Sequence, residues 1–186
     1  IRYAADNGAH IINMSFGKDF SPHKELVDEA VRYAEERGVL FVHAAGNDAE
    51  DIGVTPSYPV RYYADGDSAE NWIEVGAISW KAAPGLVATF SNYGASGVDV
   101  FAPGVDILST IPDAEYEANS GTSMAAPVVA GIAALVMSYY PDLTAGQVKE
   151  IILRSAVPYP DLEVFIPGTE ERVPFGDLSA TGGVVN

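Results

Sequence analysis

The chain contains no cysteine. Disulfide cross-links, a thiolate nucleophile and cysteine zinc sites are therefore excluded, and the redox compartment leaves no mark on the sequence. Basic residues are scarce: 10 Lys and Arg stand against 26 Asp and Glu, for a formal net charge of −16. A surface so poor in clustered cations does not suit nucleic-acid phosphates, so no nucleic-acid partner is expected. Long hydrophobic stretches are missing too. The apolar run from Val128 to Tyr140 falls short of the roughly 20 residues that a membrane-spanning helix needs, so no membrane segment is expected. No internal repeat and no second domain boundary stand out.

What is present is the composition of a folded domain. Of 186 residues, 48% are hydrophobic and 19% charged, which suits a single globular unit and not a disordered one. Ile1 to Asn7 reads as the last turns of a helix stopped at Gly8. His10 to Ser15 reads as a short buried strand ended by Phe16-Gly17. Ser21-Pro22 fits an N-cap followed by proline at the first helical position, and Leu26, Val27, Ala30, Val31 and Ala34 then recur at helical spacing until Gly38. Val39 to His43 reads as a second buried strand. Strand, helix and strand at this spacing form a βαβ unit, so the two strands should be parallel with a right-handed crossover. Ligands gather beyond the carboxyl ends of such strands, here Ser15-Phe16-Gly17 and Ala44-Ala45-Gly46-Asn47.

Further along, the 48–71 stretch reads as a long acidic loop, Ile73–Ile78 and Val87–Ser91 read as strands, Ser91-Asn92-Tyr93-Gly94 as a turn, and Val98–Gly104 as a strand and turn. Val105–Thr110 and Glu115–Asn119 form a hairpin around Pro112-Asp113. Thr144-Ala145-Gly146-Gln147 fits a capping box for a helix to about Ser155. Residues 156–180, with prolines at 158, 160, 167 and 174, are expected to be hairpin and loop.

The most informative stretch is Asn119-Ser120-Gly121-Thr122-Ser123-Met124-Ala125-Ala126-Pro127. A helix starting near Thr122 keeps Pro127 close to the first turn, where its missing N–H is best tolerated. Ser123 then sits at a helix N-terminus, among N–H groups without intrahelical partners and a macrodipole that favours developing negative charge. A serine so placed is either a nucleophile awaiting a base or an ordinary N-cap. The residues that follow, Val128 to Val136, are apolar on every face, which predicts a helix buried in a core.

The nonamer resembles the nucleophile segment of the subtilisin-like serine peptidases (subtilases), in which G-T-S-M-A-x-P carries the catalytic serine. Two upstream segments are similar to that family as well, and in its order. Asn13-Met14-Ser15-Phe16-Gly17 resembles the N-x-S-x-G strand that runs alongside the substrate, and Ala44-Ala45-Gly46-Asn47 resembles the A-A-G-N segment whose asparagine completes the oxyanion hole. The resemblance implies an α/β fold of three layers, with a mostly parallel sheet flanked by helices and incomplete on its N-terminal side. It implies Ser123 and Asn47 as catalytic residues, with the Ser123 N–H as the second oxyanion donor. Ser15, Phe16, Gly17, Ala45 and Gly46 become substrate-binding residues whose backbone takes the substrate as an added strand, and Ser57 a candidate for the base of the pocket that precedes the scissile bond; an ordinary turn residue is the other reading of Ser57. The implied partner is a polypeptide substrate, and the implied address of the parent protein is secreted or cell-envelope. No cofactor and no metal site is evident; calcium is implied by the resemblance alone.

A triad base and its carboxylate are missing from these residues. The family takes its histidine from an H-G-T-H motif and its aspartate from a D-T/S-G motif, both upstream of the serine, and neither string occurs here. His10 and His23 read as structural or solvated, and His43 as a strand residue filling core. Both ends read as cut. The chain is therefore expected to be the C-terminal part of a single subtilase catalytic domain spanning 1–186, inactive in isolation and prone to self-association through an exposed sheet edge. The alternatives are a subtilase-fold pseudo-enzyme that binds peptides or partners and an α/β-hydrolase esterase. The last is disfavoured because Gly121-Thr122-Ser123-Met124-Ala125 lacks the closing glycine of G-x-S-x-G.

Overall fold

A computed structural model describes residues 1–186. Six strands form the central sheet. Numbered in chain order, they are β1 (Ile11–Met14), β2 (Leu40–Ala44), β3 (Trp72–Ile78), β4 (Val100–Pro103), β7 (Val157–Pro158) and β10 (Gly183–Val184), in the spatial order β1-β2-β3-β4-β10-β7. All neighbours are parallel except β10 and β7. Helix α1 (Arg2–Asp6) precedes β1, α2 (Lys24–Glu35) forms the β1–β2 crossover, and α3 (Thr122–Tyr139) and α4 (Ala145–Ser155) follow the hairpin of β5 (Ile107–Ile111) and β6 (Glu115–Asn119). A second hairpin joins β8 (Glu163–Phe165) and β9 (Arg172–Pro174).

Strand alternation builds cores on both faces of one sheet, and a third cluster gathers Phe101 of β4 with Val164, Phe175 and Leu178. Leu40, Val42, Ala44, Ile73, Val75 and Ala77 face α3 and α4, where Ala125, Ala126, Val129, Ala133, Val148 and Ile152 meet them. Phe41 and Trp72 face the other way, packing with Met14, Val31 and Ala34 beside α2. The result is three layers, helix on sheet on helix, as the βαβ reading requires.

Three expectations are corrected. Helix α2 begins at Lys24 behind His23, not at Ser21-Pro22, and has no side-chain cap bond; its first turn is held instead by Lys24 Nζ, which donates to Asp28 at 2.7 Å and to the Tyr62 carbonyl at 2.6 Å. Residues 87–91 form no strand: Val87 makes one bridge to Ile78, Ser91 Oγ accepts from the Ala77 N–H of β3, and Asn92 turns inward to hydrogen-bond the 45–50 loop. Helix α3 is not buried all round. Its small-residue stripe lies on the sheet, while Leu135 and Tyr139 stand 61% and 78% exposed, because the sheet covers one side only.

The capping box at α4 forms as expected: Thr144 Oγ1 accepts from the Gln147 N–H at 3.2 Å, and Gln147 Oε1 accepts from the Thr144 N–H at 2.8 Å. Thr144→Ala should lower stability by about 1 kcal/mol, read as a shifted urea midpoint with an unchanged slope.

Candidate active site

The carboxyl ends of β1 and β2 meet the N-terminus of α3, and the predicted residues converge there. The link begins with a proline. Pro127 lies inside α3 and has no N–H to give the Ser123 carbonyl. Ser15 Oγ takes that place, donating to the Ser123 carbonyl at 2.9 Å, and is itself held by Asn13 Nδ2 at 2.9 Å. In return, Ser123 Oγ donates to the Ser15 carbonyl at 3.3 Å. The serine and the segment after β1 are thus bolted together from both sides.

Asn47 is oriented by the residue next to the serine. Its Oδ1 accepts from the Thr122 N–H at 2.9 Å and from Thr122 Oγ1 at 3.1 Å, while the Gly46 N–H donates to Thr122 Oγ1 at 3.1 Å. With the oxygen fixed on Thr122, the Asn47 amide nitrogen is left as an exposed donor with no partner inside the protein. The Ser123 N–H, in the first turn of α3, likewise has no intrahelical acceptor. Two neutral donors beside one hydroxyl are what an oxyanion formed by attack of that hydroxyl requires.

Gly17 leaves both of its backbone polar groups free, as does the Phe16 N–H, so this segment offers an open edge. The Ala45-Gly46 backbone differs from expectation. The Ala45 N–H donates to Val75, the Ala45 carbonyl accepts from Asn92 Nδ2, the Gly46 N–H is used by Thr122, and the Gly46 carbonyl accepts from the Asn92 N–H. These groups are engaged within the fold and do not offer a second free edge. Ser57 lies against the open segment: a Cβ added to Gly17 would meet Ser57 Oγ at 2.9 Å, and Lys18 and Tyr58 exchange backbone bonds of 2.9 and 2.8 Å beside it.

Asn92 is the residue that sequence reasoning passed over as part of a turn. It is buried, and its Oδ1 accepts from the N–H groups of Asp48 and Glu50 at 3.0 Å each while its Nδ2 donates to Ala45 at 2.9 Å. It crosses to the 45–50 loop and holds Asn47 between fixed points. Gly46, at φ 105°, is the only residue type that fits there, since a Cβ would meet Asn92 Nδ2 at 2.4 Å. Asn92→Leu should cost about 1–3 kcal/mol of stability through the orphaned loop amides, read as a lowered midpoint in chemical unfolding.

None of the three histidines hydrogen-bonds Ser123 Oγ. His10 lies before β1 at the other end of the sheet, and His23 is exposed ahead of α2. His43 is fully buried, with Nδ1 2.6 Å from Glu74 Oε1 and Nε2 3.0 Å from the Phe16 carbonyl oxygen. Burial alone would lower its pKa; the Glu74 charge and hydrogen bond, helped by the Phe16 carbonyl, outweigh burial and raise it above the ordinary histidine value. No group of three or more His, Asp or Glu side chains converges on a common point.

The sequence model described as the subtilase family (Peptidase_S8) matches residues 1–181. A thermophilic serine proteinase from Bacillus sp. (strain AK1) is 46% identical over 138 residues, covering 74% of this chain and 30% of that protein. Subtilisin Savinase from Lederbergia lenta is 40% identical over 156 residues, covering 84% of this chain and 52% of its own length. Among solved structures, S41 psychrophilic protease superposes with a TM-score of 0.77 at 28% identity, over 100% of this chain and 61% of that one. A cold adapted subtilisin-like serine proteinase gives 0.69 at 31%, over 99% and 56%. The chain thus spans about a third to a half of the length of the curated relatives named here.

Proposed function

Because the chain belongs to the subtilase family, we propose that it supplies the nucleophile and oxyanion hole of a serine endopeptidase. Ser123 Oγ attacks the scissile carbonyl carbon, and the C–N bond breaks to leave an acyl-serine. Its proton passes to a histidine base and from there to the departing amine; water then releases the acyl group by the reverse proton path. Asn47 Nδ2 and the Ser123 N–H hold the oxyanion. The free edge of Phe16 and Gly17 pairs with the substrate as an added strand, Ala45 and Gly46 wall the pocket, and Ser57 closes its base.

The observation that carries this reading is the Asn47 amide, turned by Thr122 so that its donor is free beside Ser123. The base is assigned to residues upstream of Ile1, in the same catalytic domain, since each histidine within 1–186 is directed elsewhere. On that assignment residues 1–186 alone are inert. Fluorophosphonate labelling with peptide mapping tests it, using the full-length protein with 1–186 as control. Label on Ser123 in the full-length protein alone is expected. No label in a folded full-length protein would instead favour a pseudo-enzyme that keeps the fold for binding, and label on 1–186 would place a base within these residues.

A further inference from the structure

The ion pair of His43 and Glu74 takes no part in that chemistry, yet it touches the substrate edge. Both ring nitrogens face groups that only accept: a carboxylate oxygen at 2.6 Å and the Phe16 carbonyl at 3.0 Å. A ring that satisfies both is an imidazolium, donating from each nitrogen. The pair is sealed, with His43 at 0% and Glu74 at 5% exposure. The other Glu74 oxygen accepts from Trp72 Nε1 at 2.7 Å, and the Glu74 N–H donates to Asp99 Oδ2 at 2.7 Å. Arg61 holds Asp99 by two N–H groups at 2.9 and 2.7 Å. The buried His43 and the half-buried Arg61 thus balance two buried anions; a neutral His43 would leave one negative charge uncompensated, which is costly in such a site.

The ladder between β1 and β2 ends at Met14 and His43. Two residues later, Phe16 has no ladder partner, and the His43 side chain supplies the bond that the sheet no longer does. The Ser15 carbonyl faces Ser123 and the Phe16 carbonyl faces His43, so the segment is pinned inward while Gly17 stays open.

We propose that His43, held doubly protonated by Glu74, is a positioning residue that sets the 15–17 segment to receive the acyl-side residues of an extended polypeptide. The inference rests on the proposed peptidase reading for the identity of the ligand. It separates two substrate classes: a tetrapeptide amide uses the pinned edge, whereas a single-residue ester reaches Ser123 without it. It also fixes a sign with pH. A raised pKa in the fold means that the clamp is complete below the ordinary histidine value of about 6.5 and is lost as pH rises through the raised one.

The test uses the full-length protein, with active sites counted by fluorophosphonate so that misfolded material is left out. In His43→Leu, KM for the tetrapeptide should rise about tenfold, the size of one lost charge-assisted hydrogen bond, with kcat for the ester within about twofold. His43→Gln, whose amide can still donate to Phe16, should recover most of that KM and lose the alkaline rise in KM that the wild type shows. Equal losses on both substrates, an unchanged tetrapeptide KM, or a wild-type KM flat into the alkaline range would each overturn the proposal. An unlabelled Ser123 in the wild type defeats the peptidase reading separately. In that case ¹⁵N resonances of the His43 ring decide: two protonated nitrogens at pH 7, with Phe16 and Gly17 amide shifts following the ring's titration, sustain the positioning role. A singly protonated ring overturns it.

Discussion

Ser123→Ala should abolish fluorophosphonate labelling of the full-length protein and lower kcat about 10⁶-fold, with the fold intact. The magnitude follows from how a catalytic unit fails: in a subtilisin, removing the nucleophile alone costs about as much as removing the whole triad, about 2 × 10⁶ in kcat. The structure adds a reason to expect no collapse alongside it. The bonds that fix this corner run through the Ser123 carbonyl and through Thr122, not through the hydroxyl, which makes one bond of 3.3 Å to Ser15. Alanine keeps all but that bond. Its melting temperature should therefore lie close to the wild type, and residual turnover should retain the part owed to the oxyanion donors. Residual kcat within tenfold of wild type would exclude Ser123 as the nucleophile.

Asn47→Asp should lower kcat by at least 10²–10³ with little change in KM. Aspartate is chosen because it keeps an oxygen for the Thr122 N–H and hydroxyl while replacing the donor with a negative charge. The loss then falls on the transition state, where negative charge develops, and not on the substrate, whose carbonyl carries only a dipole. A matching rise in KM with kcat unchanged would make Asn47 a substrate contact and not an oxyanion donor.

How much of this was legible beforehand depended on how far each signal reached along the chain. The βαβ unit, the β5–β6 hairpin, the start of α3 and the Thr144–Gln147 capping box are local patterns, and each formed within a residue or two of its expected bounds. Ser21-Pro22 satisfied a local rule and still failed, because Lys24 found Asp28 and the Tyr62 carbonyl, and Tyr62 lies 38 residues on. Val87–Ser91 had the apolar content of a strand, but the chain turns inward at its end so that Asn92, the next residue, braces the 45–50 loop through bonds spanning 42 to 47 residues. His43 was read as core filling, and its burial fits that; its carboxylate partner, 31 residues away on the next strand, carried no mark in the sequence. The apolar pattern of α3 could not distinguish a helix enclosed on all sides from one with a single covered stripe.

The position of β10 has a consequence for the order of assembly. This strand, Gly183–Val184, is laid between β4 and β7, parallel to the first and antiparallel to the second. Just before it, Thr181 Oγ1 donates to the Asp99 carbonyl across 82 residues of chain. Closing so long a loop loses chain entropy before any pairing compensates for it, and sheets rich in such contacts form slowly. Until β10 arrives, β4 presents an unpaired edge, so the nascent chain carries an open template for strand pairing from the making of Val100–Pro103 to that of Gly183–Val184. β10 is therefore the latch on this edge of the sheet, and the interval before it closes is when a chaperone or a neighbouring chain competes for that edge.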